Sequence, residues 1–155
     1  LSIPMSDFSE GDVHQPTLHA AGHALGVSIC YEDVYAREVR RALPEAGFLV
    51  NVSNDAWFGD TIAPHQHLQI ARMRALEAGR YMLRATNTGI TAIIDERGAV
   101  TARAAQFQPT ALAGTFAARG GATPYVRLGD LPLFSALLLA IVAVALHGRR
   151  RARLN

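Results

Sequence analysis

Between Leu131 and Leu146 the chain carries no charge, and Ser135 is the one hydroxyl in an otherwise apolar run. A helix apolar all round has no face to give to water, so this segment must be buried on every side or leave water altogether. A bilayer span needs about 20 residues, with a floor near ~17. The run reaches that length when Gly129 and His147-Gly148 enter the two interfaces. Arg149, Arg150, Arg151 and Arg153 follow at once, the flank expected on a cytoplasmic side. A transmembrane helix is therefore predicted over 131–148 and a basic cytoplasmic tail over 149–155, with the residues ahead of the helix facing the periplasm or exterior.

Those arginines also account for the sign of the charge. The chain has 15 basic and 13 acidic residues, and without the four tail arginines the count is eleven against thirteen. A mildly acidic body argues against a nucleic-acid partner, which needs basic residues spread over a folded face. With 50% hydrophobic and 18% charged residues, the remainder is rich enough to build a core. The single cysteine, Cys30, cannot form an internal disulfide. The chain opens Leu1-Ser2-Ile3-Pro4, without an initiator methionine or a basic-then-apolar leader, and is expected to be the C-terminal portion of something longer.

Residues 1–16 are rich in Ser, Asp, Gly and Pro and read as loop, with Met5 and Phe8 as anchoring points. A hairpin is expected from Thr17–Ala21 and Ala24–Ile29 around Gly22-His23. Glu32 and Asp33 suit the start of a helix that Pro44 ends, and Gly47–Ser53 is the nearly continuous apolar run of a buried strand. Asn54 to Asp60 forms a loop. His65–Leu83 has the period of a helix burying Leu68, Ala71 and Ala75, with Arg72, Arg74 and Arg80 largely on other faces. Strands are predicted at Ile90–Ile94, Ala99–Ala105 and Ala111–Phe116, and Gly120 to Pro124 marks a linker, drawn over 123–130. Alternating strands and helices make residues 1–122 a layered α/β domain.

Cys30 stands where chemistry is plausible. It ends the strand Val27-Ser28-Ile29 and precedes a helix start, a junction where backbone N–H groups and the helix dipole favour a thiolate. The six histidines show no Cys-x-x-Cys or His-Glu-x-x-His spacing. His65 and His67, two apart on a helix, point away from each other, so no metal site is expected. The histidines read as surface or hydrogen-bonded residues. No local signature of a papain-like thiol surrounds Cys30, and the alternative is a thiol served by a carboxylate base and a lysine.

Four motifs converge on one family. Ile29-Cys30-Tyr31-Glu32, the stretch from Asn51 through Asn54-Asp55-Ala56-Trp57-Phe58-Gly59, the helix from Ala71 to Glu77, and Arg84-Ala85-Thr86-Asn87-Thr88-Gly89 together resemble the carbon–nitrogen hydrolase (nitrilase) superfamily, and most nearly its apolipoprotein N-acyltransferase branch. The resemblance implies part of an α-β-β-α sandwich on the periplasmic side of a bacterial inner membrane, in a multi-pass protein whose last span would be the C-terminal helix. It implies a phospholipid acyl donor, typically phosphatidylethanolamine, and an apolipoprotein acceptor acylated on its S-diacylglyceryl cysteine through a Cys30 thioester. No cofactor is called for.

The same resemblance implies roles for single residues. Cys30 is the nucleophile, Glu32 and Tyr31 support the site, and Asn54, Asp55, Trp57 and Phe58 lie at the substrate pocket, with packing an equally good account of Trp57 and Phe58. Glu77 and Asn87 also match, as helix and turn support. One departure stands out. The family needs a glutamate base and a lysine ahead of the cysteine, yet the chain has no lysine and only Glu10 upstream. These 155 residues alone are therefore expected to be inactive. A membrane-tethered amidase of the same superfamily and a non-enzymatic anchored scaffold are the alternatives.

Overall fold

The computed structural model describes residue 12 and residues 15–152. The loop predicted over 1–16, with Met5, Phe8, Glu10 and His14, falls almost wholly outside them. Six strands form one mixed sheet in sequence order: β1 (Leu18–Ala20), β2 (His23–Ile29), β3 (Phe48–Ser53), β4 (Met82–Thr86), β5 (Ala92–Ile94) and β6 (Val100–Arg103). The strands β2, β3 and β4 are parallel, joined by crossovers through α1 (Ala36–Arg41) and α2 (Ala63–Ala78), while β1, β5 and β6 add antiparallel edges. A parallel pair needs a crossover because a tight turn cannot return the chain to the same end of the sheet.

Both helices lie on one face of the sheet. Period-two alternation sends Gly26 and Ser28 of β2, Leu49 and Asn51 of β3, and Met82 and Arg84 of β4 to that face, in register across the three strands. Gly26 lets α1 approach closely, since a Cβ there would lie 2.7 Å from the Ala42 Cβ. The buried stripe of α2 is Pro64, His67, Leu68, Ala71, Ala75 and Ala78, and its three alanines bring the helix close to Leu49, Met82, Ile90 and Ile94. On the opposite face an irregular segment crosses the sheet, with Phe116 packed on Phe48 at 4.7 Å between ring centroids. At the β2 end of that face Val27, Ile29 and Val52 are exposed.

Several expectations change. The helix predicted to Leu83 stops at Ala78, because Gly79 adopts a left-handed φ of 61° and its N–H caps Ala75 and Leu76, the usual way a glycine ends a helix. Met82–Thr86 is then the third parallel strand, whose alternation of buried Met82 and Arg84 had been masked by the helical period running into it. Arg80 is 2% exposed instead of facing solvent: its Nε donates to Ala46 O at 2.7 Å and Nη2 to Gly121 O at 2.7 Å. The strand expected at Ala111–Phe116 is absent, and the hairpin turns at Ala21-Gly22, with His23 already in β2. Within the predicted linker, Thr123 caps a short helix, α3 (Pro124–Leu128).

Beyond α3, α4 (Leu131–Ala152) runs for 22 residues. At a helical rise of ~1.5 Å per residue that is a length of about 33 Å, against a hydrocarbon thickness of about 30 Å. Leu131–Arg149 is the one helix among the described residues long and apolar enough to cross a membrane. Its leucines, Phe134, Ile141 and Val144 are exposed.

Candidate active site

In an open α/β sheet the carboxyl ends of the parallel strands gather the loops that bind and react. Three such ends adjoin here: Cys30 follows β2, Asn54 to Phe58 follow β3, and Asn87 to Gly89 follow β4. Cys30 is half-buried and has a left-handed φ of 52°. For a residue with a Cβ that conformation costs about 1–2 kcal/mol and persists only where neighbouring contacts over-determine it.

Those contacts are present on both sides of the thiol. Ile29 N–H donates to Glu32 Oε2 at 2.7 Å, so the glutamate folds back across the corner. Asn51 Nδ2 donates to Cys30 O at 3.1 Å and to Ser28 Oγ at 3.0 Å. The five residues Cys30–Val34 form a 3-10 turn and α1 starts only at Ala36. The α-helix expected to start at Glu32 and Asp33 therefore begins later, at Ala36, behind the 3-10 turn. Tyr31 and Glu32 are exposed beside Cys30.

The second loop divides in two. Trp57 is 69% exposed, Phe58 is half-buried and Asn54 is exposed, placing these three at the open end of the strands. Asp55 is different. Predicted for the substrate pocket, it is fully buried: Oδ1 accepts from Ser53 Oγ at 2.6 Å and Oδ2 from Arg84 Nη2 at 2.9 Å. It points under the loop, where those donors offset the cost of burying its charge. Asn87 knits the loops together, with Oδ1 accepting from Asp55 N–H at 3.1 Å and Nδ2 donating to Asn54 Oδ1 at 2.6 Å.

Beneath the corner lies a set of side chains that sequence reasoning left unconnected. His67 spans two carboxylates, with Nε2 at 3.0 Å from Asp33 Oδ1 and Nδ1 at 3.1 Å from Asp55 Oδ1. Arg84 Nη1 reaches Asn51 Oδ1 at 2.5 Å and Asp33 Oδ2 at 3.4 Å. Burial alone would push the His67 pKa down, and Arg84 acts in the same direction. The hydrogen bond and charge of Asp33, with the charge of Asp55, outweigh both and hold it above its ordinary value, as nearby carboxylates do for a cation. A signal existed in the sequence, because His67 falls four residues before Ala71 on the stripe that buries Leu68, Ala71 and Ala75.

Among the described residues no carboxylate or ring nitrogen hydrogen-bonds the Cys30 thiol, and no cluster of His, Cys, Asp and Glu is arranged to hold a metal ion. A groove of about 600 Å³ runs along β2 past Leu18, Val27, Ile29 and Glu32, and Cys30 is not in its lining. What remains is an α/β sheet presenting a strained cysteine at its strand ends, a site suited to covalent catalysis once a base is supplied.

That class has a family: residues 4–125 match the carbon-nitrogen hydrolase family, and the chain belongs to it. A protein of Nitrosomonas europaea named apolipoprotein N-acyltransferase is 56% identical over 97% of this chain and 31% of its own length. One of the same name from Methylococcus capsulatus is 54% identical over 97% of the chain and 30% of its length, and one from Haemophilus influenzae is 44% identical over 99% and 30%. The chain thus spans less than a third of the length of these curated relatives. Among solved structures, a carbon-nitrogen hydrolase from Helicobacter pylori aligns over 63% of this chain and 41% of its own, with a TM-score of 0.52 at 17% identity. An amidase of the nitrilase superfamily from Nesterenkonia aligns over 66% and 41%, with a TM-score of 0.51 at 19% identity. Both share the nitrilase-type α/β fold of the sheet and its helices.

Proposed function

We propose that the chain is the C-terminal part of an apolipoprotein N-acyltransferase and carries its nucleophile, Cys30. The observation that carries this is the half-buried thiol held at a left-handed φ of 52° at the end of β2, in a chain 56% identical to a relative of that name over 97% of its length. In the first step the thiolate attacks the ester carbonyl of a phospholipid such as phosphatidylethanolamine. The C–O bond breaks and the lysophospholipid oxygen takes a proton, leaving an S-acyl cysteine. In the second step the α-amino group of an S-diacylglyceryl cysteine attacks the thioester. An amide forms, the C–S bond breaks, the amine proton is lost to a base and the thiol is regenerated. Two low barriers replace one high barrier, and the thioester holds the acyl group until the second lipid arrives.

Glu32 and Tyr31 support the corner, and Asn54, Trp57 and Phe58 border the substrate. The glutamate base and the oxyanion-binding lysine come from elsewhere in the whole protein, since this chain has no lysine. The C-terminal helix holds the thiol at the headgroup level, replacing a search through solution with one in the plane of the membrane. In this arrangement the protein crosses the inner membrane several times, the thiol lies on the periplasmic side and the arginine tail is cytoplasmic.

The test is to incubate the full-length protein with phosphatidylethanolamine carrying a labelled acyl chain. A hydroxylamine-sensitive label on the wild type that is missing from Cys30→Ala is expected. A wild-type protein that takes no label sinks the acyl-enzyme, and hydrolysis of small amides by the same preparation establishes an amidase instead.

A further inference from the structure

Four ionisable side chains from four separate elements meet beneath the Cys30 corner, and acyl transfer assigns work to none of them. Asp33 comes from the 3-10 turn that begins at Cys30, Asp55 from the loop after β3, His67 from α2 and Arg84 from β4. Asp33 and Asp55 are 0% exposed, Arg84 2% and His67 3%. Burial of this kind is expensive unless each charge is matched and each proton has an acceptor.

We propose that His67 is held as a doubly protonated imidazolium between Asp33 and Asp55, and that with Arg84 it closes a neutral four-ion clasp that fixes the Cys30 corner. His67 is then a positioning residue and not the proton acceptor for the thiol. An ionised carboxylate only accepts hydrogen bonds, whereas a neutral imidazole has one donor and one acceptor. A ring facing carboxylate oxygens at 3.0 and 3.1 Å through both nitrogens needs a proton on each. Two carboxylates, one guanidinium and one imidazolium then sum to zero. Among the described residues, the groups facing the ring are those three and the Tyr31 ring, its centroid 6.0 Å away.

The clasp reaches the nucleophile by two routes. Asp33 lies three residues past Cys30 within the same turn, so any shift of its carboxylate moves that turn. Arg84 Nη1 donates to Asn51 Oδ1 at 2.5 Å, which orients Asn51 Nδ2 towards Cys30 O at 3.1 Å. Without the imidazolium the remaining three charges sum to minus one in a buried space, and Asp33 or Asp55 must turn away from it.

The inference rests on the acyltransferase reading only in naming the reaction that Cys30 performs, and the experiment separates the two. Full-length wild type, His67→Gln, Asp33→Asn and Cys30→Ala are compared in detergent with labelled phosphatidylethanolamine. A parallel assay measures alkylation of Cys30 by iodoacetamide, which needs no lipid. Per folded molecule, His67→Gln is expected to lower kcat for thioester formation by roughly tenfold to a hundredfold, the cost of misplacing a reacting group, with KM within about twofold. Alkylation of Cys30 is also expected to change.

If the wild type takes no label while alkylation still depends on His67, the acyltransferase reading fails and the clasp stands. A His67→Gln protein that acylates at the wild-type kcat overturns the clasp. Should that variant not fold, ring ¹⁵N signals of histidine-labelled wild type decide the matter. Both His67 ring nitrogens are expected to stay protonated as pH rises past the ordinary histidine pKa of ~6.5, and in Asp33→Asn the ring is expected to titrate at lower pH. A wild-type ring that gives up a proton below that pH refutes the proposal.

Discussion

Gly89 offers the sharpest test of the buried ionic group, because it touches that group without belonging to it. A Cβ built at Gly89 would lie 2.7 Å from both Cβ and Cγ of Asp55, and closer still to Oδ2. Carbon–carbon contact is comfortable only from about 3.5 Å, so in Gly89→Ala the Asp55 carboxylate must move. It cannot do so while accepting from Arg84 Nη2 at 2.9 Å, Ser53 Oγ at 2.6 Å and His67 Nδ1 at 3.1 Å. Breaking a buried ion pair costs about 3–5 kcal/mol, a large fraction of a domain stability of roughly 5–15 kcal/mol. At about 2–4 °C per kcal/mol for a domain of this size, Tm should fall by roughly 6–20 °C. Thermal unfolding of the purified full-length protein reads the effect, and an Asp55→Gly background separates its cause. With the Asp55 side chain gone, Gly89→Ala should cost under about 1 kcal/mol, a strong departure from additivity. A single variant within about 2 °C of wild type would refute the reasoning.

Arg80 and Glu77 extend the same logic to charges outside the site. Arg80 donates to Ala46 O, Gly121 O, Pro44 O at 3.2 Å and Gly79 O at 3.2 Å, and has no acidic partner among the described residues. Since hydrogen bonds from a charged donor are worth about 1.5–3 kcal/mol each, Arg80→Met is expected to destabilise by about 3 kcal/mol or more, measured by denaturant unfolding. Burial raises the Glu77 pKa, partly offset by Arg74 and reinforced by Asp130. Its folded pKa exceeds its unfolded one, so its contribution is fully present below the unfolded value and is lost as pH rises through the folded value. Glu77→Gln should therefore flatten the stability profile above pH ~4.5. A profile unchanged from wild type would show that Glu77 does not titrate in this way.

The sequence made visible those parts of the fold that repeat. The hairpin turn at Gly22-His23 and the apolar run Gly47–Ser53 located β2 and β3, and the long uncharged run located the C-terminal helix. It hid β4, because Met82 and Leu83 continue the helical period of α2 and only the left-handed Gly79 interrupts it. It also hid the strandless character of Ala111–Phe116, whose place is set by Phe48 across the sheet and not by local preference. At the site, Cys30 and the loops at the strand ends were legible as motifs. Which polar residues turn inward was not. Asp55 lies beside exposed Asn54 and Trp57, and only pairing with His67 and Arg84, 12 and 29 residues away, brings it inside.

Those inward charges answer a specific mechanical need. The Cys30 corner has φ in the left-handed region, a conformation the chain leaves by relaxing unless something opposes it. Apolar packing is poorly suited to the task, since it is non-directional and would close over the strand ends where Cys30 stands. Hydrogen bonds from charged groups are short and directional, and they can hold a turn without covering it. The parallel register makes this possible: Ser28, Asn51 and Arg84 are consecutive partners across β2, β3 and β4, forming a polar row one residue short of the end of β2. From that row Asn51 holds the Cys30 carbonyl while Arg84 holds Asn51, and Asp33 ties the far side of the turn to His67 on α2. On the exposed side Glu32 accepts from Ile29 N–H, so the corner is held from both sides of Cys30.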